Sequence, residues 1–110
     1  MEVVSNTLIN AVETSIYYWC RLVLPSFEDK SDLPYYANCF DDNWKIEVCL
    51  YEEYNEDDSV FLDIESIKKG LQIMSDNYPK HYSDMITEEG DAVTADVFFQ
   101  CMTFGEIVYG

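Results

Sequence analysis

The sequence predicts an α+β domain. An N-terminal helix, a short antiparallel β-hairpin in a small sheet and three C-terminal helices share one core, the helices on one face of the sheet. Three observations carry this reading. Apolar residues recur at three- and four-residue steps over 5–24. Residues 44–51 alternate in polarity and are followed by a second short apolar run at 59–63. From residue 64 onward the spacing is helical again, broken at Pro79 and at Glu88-Glu89-Gly90. With 110 residues the chain fits a single domain, 1–110, and 48% hydrophobic residues suffice for a core despite the charge.

The first helix is expected over SNTLINAVETSIYYWCRLVL, residues 5–24. Leu8, Ile9, Val12, Ile16, Trp19, Cys20 and Val23 mark its inner face, Ser5 or Asn6 caps it and Pro25 closes it. Residues 26–43 hold Pro34 and scattered polar groups, which predicts a loop with a short helical turn near Tyr35–Cys39. In WKIEVCLY, 44–51, Trp44, Ile46, Val48 and Leu50 face inward, and Lys45, Glu47, Cys49 and Tyr51 face water. SVFLD, 59–63, is the antiparallel partner strand, joined by an acidic connection. Asp63 is placed to cap a helix over 64–77, with Ile64, Ile67, Leu71 and Met74 on one face. Gly70 inside that helix costs about 1 kcal/mol against Ala, so close packing is expected there. Pro79 opens a short helix, PKHYSDMIT, at its first turn. Asp91 caps the last helix, 92–108, which is apolar nearly all round and therefore belongs in the core. Gly105 is expected to admit another element closely. Tyr17, Tyr18, Trp19 and Tyr109 read as core residues.

Charge is the unusual property. Twenty-two acids against six bases give a net −16. Such a surface excludes direct binding to nucleic acid or an anionic membrane and favours a basic protein partner met rapidly at low salt. Thirteen of the acids fall within residues 28–65, opposed only by Lys30 and Lys45. DNA carries one charge per roughly 1.7 Å of axis, so sixteen charges match about 27 Å of duplex. The candidate partner-binding residues are Asp41, Asp42, Glu47, Glu52, Glu53, Glu56, Asp57 and Asp58, with Tyr51 and Tyr54 as aromatic anchors. Arrayed along the wet side of the sheet and its connecting loop, they form an electrostatic copy of a phosphate backbone. An alternative partner surface is the exposed side of Tyr35, Tyr36 and Phe40.

Chemistry other than binding finds little support. The single histidine, His81, has no nucleophile in a recognisable motif with it. Neither G-x-x-x-x-G-K-[ST] nor G-x-G-x-x-G occurs. NEDDSVFLDIES, 55–66, begins like a calcium loop but lacks the sixth-position glycine and ends in Ser66, where a bidentate Glu is needed. Neither a catalytic site nor a cofactor or resident metal is expected. Cys20, Cys39, Cys49 and Cys101 lie far apart in apolar stretches, which predicts buried reduced thiols. MEVVSNTLIN has no basic n-region and no apolar core, so no signal peptide is expected and the predicted compartment is the cytoplasm.

INAVETSIYYW, 9–19, resembles an ALEGGxxYW-like opening of small proteins from phages and prophages. IESIKKGLQIMSDNYPKHYSDMI, 64–86, and DAVTADVFFQCMTFGEIVYG, 91–110, resemble the helical second half and ending of the same proteins. Thr14 and Ser15 stand where that pattern has glycines, so close backbone approach there is not implied. The resemblance implies a phage context, and with it a host bacterial cytoplasm; it implies no activity. By analogy with anti-CRISPR proteins and restriction inhibitors, a small acidic phage protein is expected to block a nucleic-acid channel by mimicry, as monomer or homodimer. The alternative is a non-enzymatic accessory protein that self-associates or binds a host factor through an apolar face.

Overall fold

The computed structural model describes residues 2–27, 34–39, 42–50 and 59–109. Its elements are α1 (Glu2–Asn10), a π-helical turn (Ala11–Ser15), β1 (Cys20–Pro25), a 3-10 turn (Tyr35–Ala37), β2 (Lys45–Leu50), β3 (Ser59–Asp63), α2 (Ile64–Asn77), α3 (Pro79–Ile86) and α4 (Ala92–Phe104). The α+β class holds. The sheet has three antiparallel strands in the order β1-β2-β3 rather than a hairpin alone.

The third strand comes from the expected first helix. That helix ends early because its hydroxyls turn back on it. Thr14 Oγ1 donates to the Asn10 carbonyl at 2.6 Å, and the Ile16 amide reaches five residues back to Ala11 at 3.3 Å. Such bonds loosen the helical ladder, and the π turn is the result. The chain then reverses through Ile16–Trp19 and enters β1. Here the three-residue spacing of Cys20 and Val23, which suggested a helix, has another origin. A β-bulge between Cys20 and Leu22 shifts the alternation, so Cys20 and Val23 both face the core.

The β2–β3 pairing follows the expected register, with Ile46 opposite Leu62 and Val48 opposite Val60. Ile46, Val48 and Leu62 are fully buried, as the alternation requires. Cys49 departs from it: although on the outer side, it is only 7% exposed. The edge of β1 is covered by the 3-10 turn, where the Tyr35 hydroxyl donates to the Val23 carbonyl.

The helical half matches the sequence closely. Asp63 accepts from the Ser66 amide at 3.1 Å while Ser66 Oγ accepts from the Asp63 amide at 3.1 Å, a reciprocal capping box that opens α2. Ser66, which spoils the calcium-loop pattern, is thus half of a helix cap. Asp91 accepts from the Val93 and Thr94 amides and opens α4. Burial runs round α4: Val97, Phe98, Phe99, Gln100 and Cys101 are all closed to solvent. α2 crosses it at Gly70, where a Cβ would lie 2.6 Å from Met102 Cγ. The close packing expected at Gly70 is therefore present. Gly105 acts differently from expectation. At φ 81° it ends α4 in the left-handed conformation, four residues before the anticipated boundary.

The core joins both halves through Trp19, Trp44, Phe98, Phe99, Leu8, Ile16 and Met74. The four cysteines are buried free thiols. Among the described residues, no helix is long and apolar enough to cross a membrane.

Candidate functional site

Of the residues that the charge pattern singles out, Asp42 and Glu47 lie among those described. Asp41, Tyr51, Glu52, Glu53, Tyr54, Glu56, Asp57 and Asp58 lie outside them. Asp42 is exposed in the turn before Trp44. Glu47 is half-buried in the middle of the outer face of β2, between Leu24 of β1 and Phe61 of β3. Those two apolar neighbours are 44% and 52% exposed, so the carboxylate sits in an apolar frame rather than among other acids. Lys45 sits one row along, opposite Asp63, with its Nζ 4.9 Å from the Phe61 ring centroid. From Asp42 to Leu50 an extended chain spans at most roughly 26 Å. The 51–58 segment joins the far end of β2 to the start of β3.

Among the described residues, ion pairing does little to offset the charge. Thirteen of the 22 acids and five of the six bases are among the described residues. The one ion pair among them is Lys68–Glu65 at 3.2 Å, with both side chains at least two-thirds exposed. Exposed pairs of this type contribute little to stability. The alternative face is less open than expected. Tyr35 and Tyr36 are half-buried and pack on the core, and the Tyr36 hydroxyl donates to Glu13; Phe40 lies outside the described residues.

A second cluster forms where the beginning and end of the chain meet on α4. Asp96 accepts hydrogen bonds from the Tyr18 hydroxyl, from Trp19 Nε1 at 2.7 Å and from Gln100 Nε2 at 3.1 Å. Gln100 is wholly buried. Its Oε1 accepts from the Val108 amide at 2.8 Å and the Tyr109 amide at 2.9 Å, and its Nε2 donates to the Tyr109 carbonyl at 2.9 Å. The amide thus grips the backbone of the C-terminal segment after the Gly105 turn. Tyr109 stacks parallel to Trp19 at 6.1 Å, and the Tyr78 hydroxyl accepts from the Ile107 amide at 3.1 Å. No buried side-chain N or O atom among the described residues lacks a partner.

Residues 18–19, α4 and residues 107–109 meet in this cluster. Tyr17 and Tyr18 do not join the core as expected: they are 41% and 54% exposed, and Tyr18 takes part through its hydroxyl. Partial burial and donation to Asp96 push the Tyr18 phenol up to about 12, so it remains a donor at neutral pH. Asp96 and Gln100 were overlooked in the sequence. They are polar residues four apart on a helix that is apolar nearly all round, and such a pair needs buried partners. That was the available signal.

An open groove of about 630 Å3 lies beside the cluster, bordered by α3, α4 and the C-terminal segment. His81 lines it and is half-buried, with its Nδ1 3.3 Å from Thr94 Oγ1. The thiols offer no nucleophile. Burial pushes Cys20 up to about 12 and Cys101 up to about 11, so both stay protonated. Among the described residues, no group of three His, Cys, Asp or Glu side chains is placed to hold a metal ion.

Compared with protein-family models, curated proteins and solved structures, the chain gives no match.

Proposed function

We propose that the protein is a small phage-encoded inhibitor of a host defence system, of the anti-CRISPR type, acting in the bacterial cytoplasm. It occupies the basic nucleic-acid-binding surface of an effector as a nucleic-acid mimic, and it acts by binding, without catalysis. The observation that carries this reading is the uncompensated charge. A net −16 is accompanied, among the described residues, by one exposed ion pair. Such a surface repels itself until a partner supplies the cations. A groove lined with Lys and Arg does so, and releases its own counterions on contact. Asp42 precedes β2, Glu47 lies within it, and five further acids follow in sequence at 52–58. The buried, protonated thiols agree with a reducing compartment.

The test replaces Glu52, Glu53, Glu56, Asp57 and Asp58 together by Lys. Inhibition of the effector is expected to vanish while the far-UV spectrum and melting temperature remain those of a folded domain. Inhibition that survives the reversal rules the mimic out. A second reading, an accessory protein that self-associates or binds a host factor through an apolar face, draws on the exposure of Leu24 and Phe61 around Glu47. Light scattering on the eluting protein separates the two: a monomer at high concentration removes self-association.

A further inference from the structure

The groove beside Asp96 has the composition of a ligand site. Its volume of about 630 Å3 falls within the range of roughly 300–1,000 Å3 typical of small-molecule sites. Val93, Val97 and Ile107 form an apolar wall, and the Tyr18 and Tyr109 rings flank it. Val93 is 59% exposed, an unusual state for a large apolar residue in the first turn of the helix at the centre of the fold. The polar lining of the groove is Asp96, His81 and Ser15.

The electrostatics decide the ligand. Asp96 takes hydrogen bonds from three neutral donors, Tyr18, Trp19 and Gln100, and forms no ion pair among the described residues. Oδ1 already receives two of those bonds and Oδ2 one, so a carboxylate with four lone-pair sites retains acceptor capacity. None of the five described bases, Arg21, Lys45, Lys68, Lys69 and Lys80, lines the groove. An anion is repelled there. A neutral apolar molecule gains only the wall. A cation on an apolar body gains the carboxylate and the wall together.

We propose that this groove binds an amphipathic organic cation, a protonated amine carried on an apolar body. The proposal does not depend on the acidic partner surface. The amine comes from a free small molecule or from a lysine side chain of a protein, and the chemistry is the same.

The test is methyl NMR of the whole chain titrated with 4-phenylbutylamine, and in parallel with the neutral 4-phenylbutanol and with an end-blocked Leu-Lys-Leu peptide. Shifts confined to Val93, Val97 and Ile107 are expected with the amine, and binding about tenfold weaker with the alcohol, the discrimination of one charge-assisted contact. Tighter binding of the peptide assigns the cation to a protein, and tighter binding of the free amine to a small molecule. Val93→Lys, at an exposed position outside the hydrogen-bond network, places a competing cation in the groove and is expected to abolish amine binding with the fold intact. Asp96→Asn is expected to remove the preference for amine over alcohol. Absence of groove shifts with amine and peptide alike, equal affinity for amine and alcohol, or unchanged amine binding in Val93→Lys overturns the proposal.

Discussion

The two sides of this molecule treat polar groups in opposite ways. Around α4, Asp96 and Gln100 are drawn into a cluster in which each donor and acceptor has a partner, and the result is structural: two distant chain segments are fixed to one helix. In the acidic middle of the sequence, 28–65, thirteen carboxylates face two lysines, and among the described residues of the chain one exposed ion pair forms. Satisfied polar groups in a core specify position. Unsatisfied charge on an exterior does nothing for the fold and raises the affinity for an opposite surface. Substitutions that remove a partner from the Gln100 network should therefore reduce stability, and substitutions of the acidic residues should leave the fold intact and reduce binding of a basic partner.

The largest effect is expected at Gln100. Gln100→Leu keeps the volume but removes the acceptor of the Val108 and Tyr109 amides and one of the donors to Asp96. A loss of about 3 kcal/mol is expected from leaving such groups unpaired, read from urea unfolding. An unchanged midpoint would mean that the C-terminal segment is not held by this amide. Next is Gly70→Ala. Overpacking against Met102 of roughly 1–3 kcal/mol exceeds the propensity gain of about 1 kcal/mol, so a net loss near 1 kcal/mol is expected. A fall in melting temperature of about 4 °C checks it.

The smallest effect is a pH dependence at Asp91. Hydrogen bonds from the Thr94 amide, and then from Val93, hold its carboxyl below the ordinary aspartate value. A lowered folded-state value means that the ionised form favours the native state. The contribution is complete above about pH 4, near the unfolded value, and fades as pH falls through the lowered one. Asp91→Asn retains an acceptor for the cap but cannot titrate. Its melting temperature below pH 4 should fall less steeply than that of the wild type.

Where local signals govern, the sequence was legible. Asp63 and Asp91 cap helices as expected, Pro79 opens α3, and α2 runs over 64–77 as its periodicity indicates. The alternation in 45–50 places Ile46 and Val48 in the core. The misreadings arose where a local pattern had two physical origins. A bulge gave Cys20 and Val23 a helical spacing inside a strand. Gly105 provides a left-handed helix end, where close approach had been expected. The Tyr18–Asp96 contact joins residues 78 apart, and no local periodicity encodes such a pairing. The acidic candidates were legible as a charge count. Their arrangement depends on side chains that lie mostly outside the described residues.

The central claim, that the uncompensated carboxylates engage a basic nucleic-acid-binding surface, is tested most directly by capture from a host lysate. The immobilised chain is exposed to lysate at low and at high salt, and at low salt with excess duplex DNA or guide RNA. A nuclease retained at low salt, released by salt and displaced by the nucleic acid is the predicted result. A partner held equally well at high salt and in the presence of nucleic acid would contradict it.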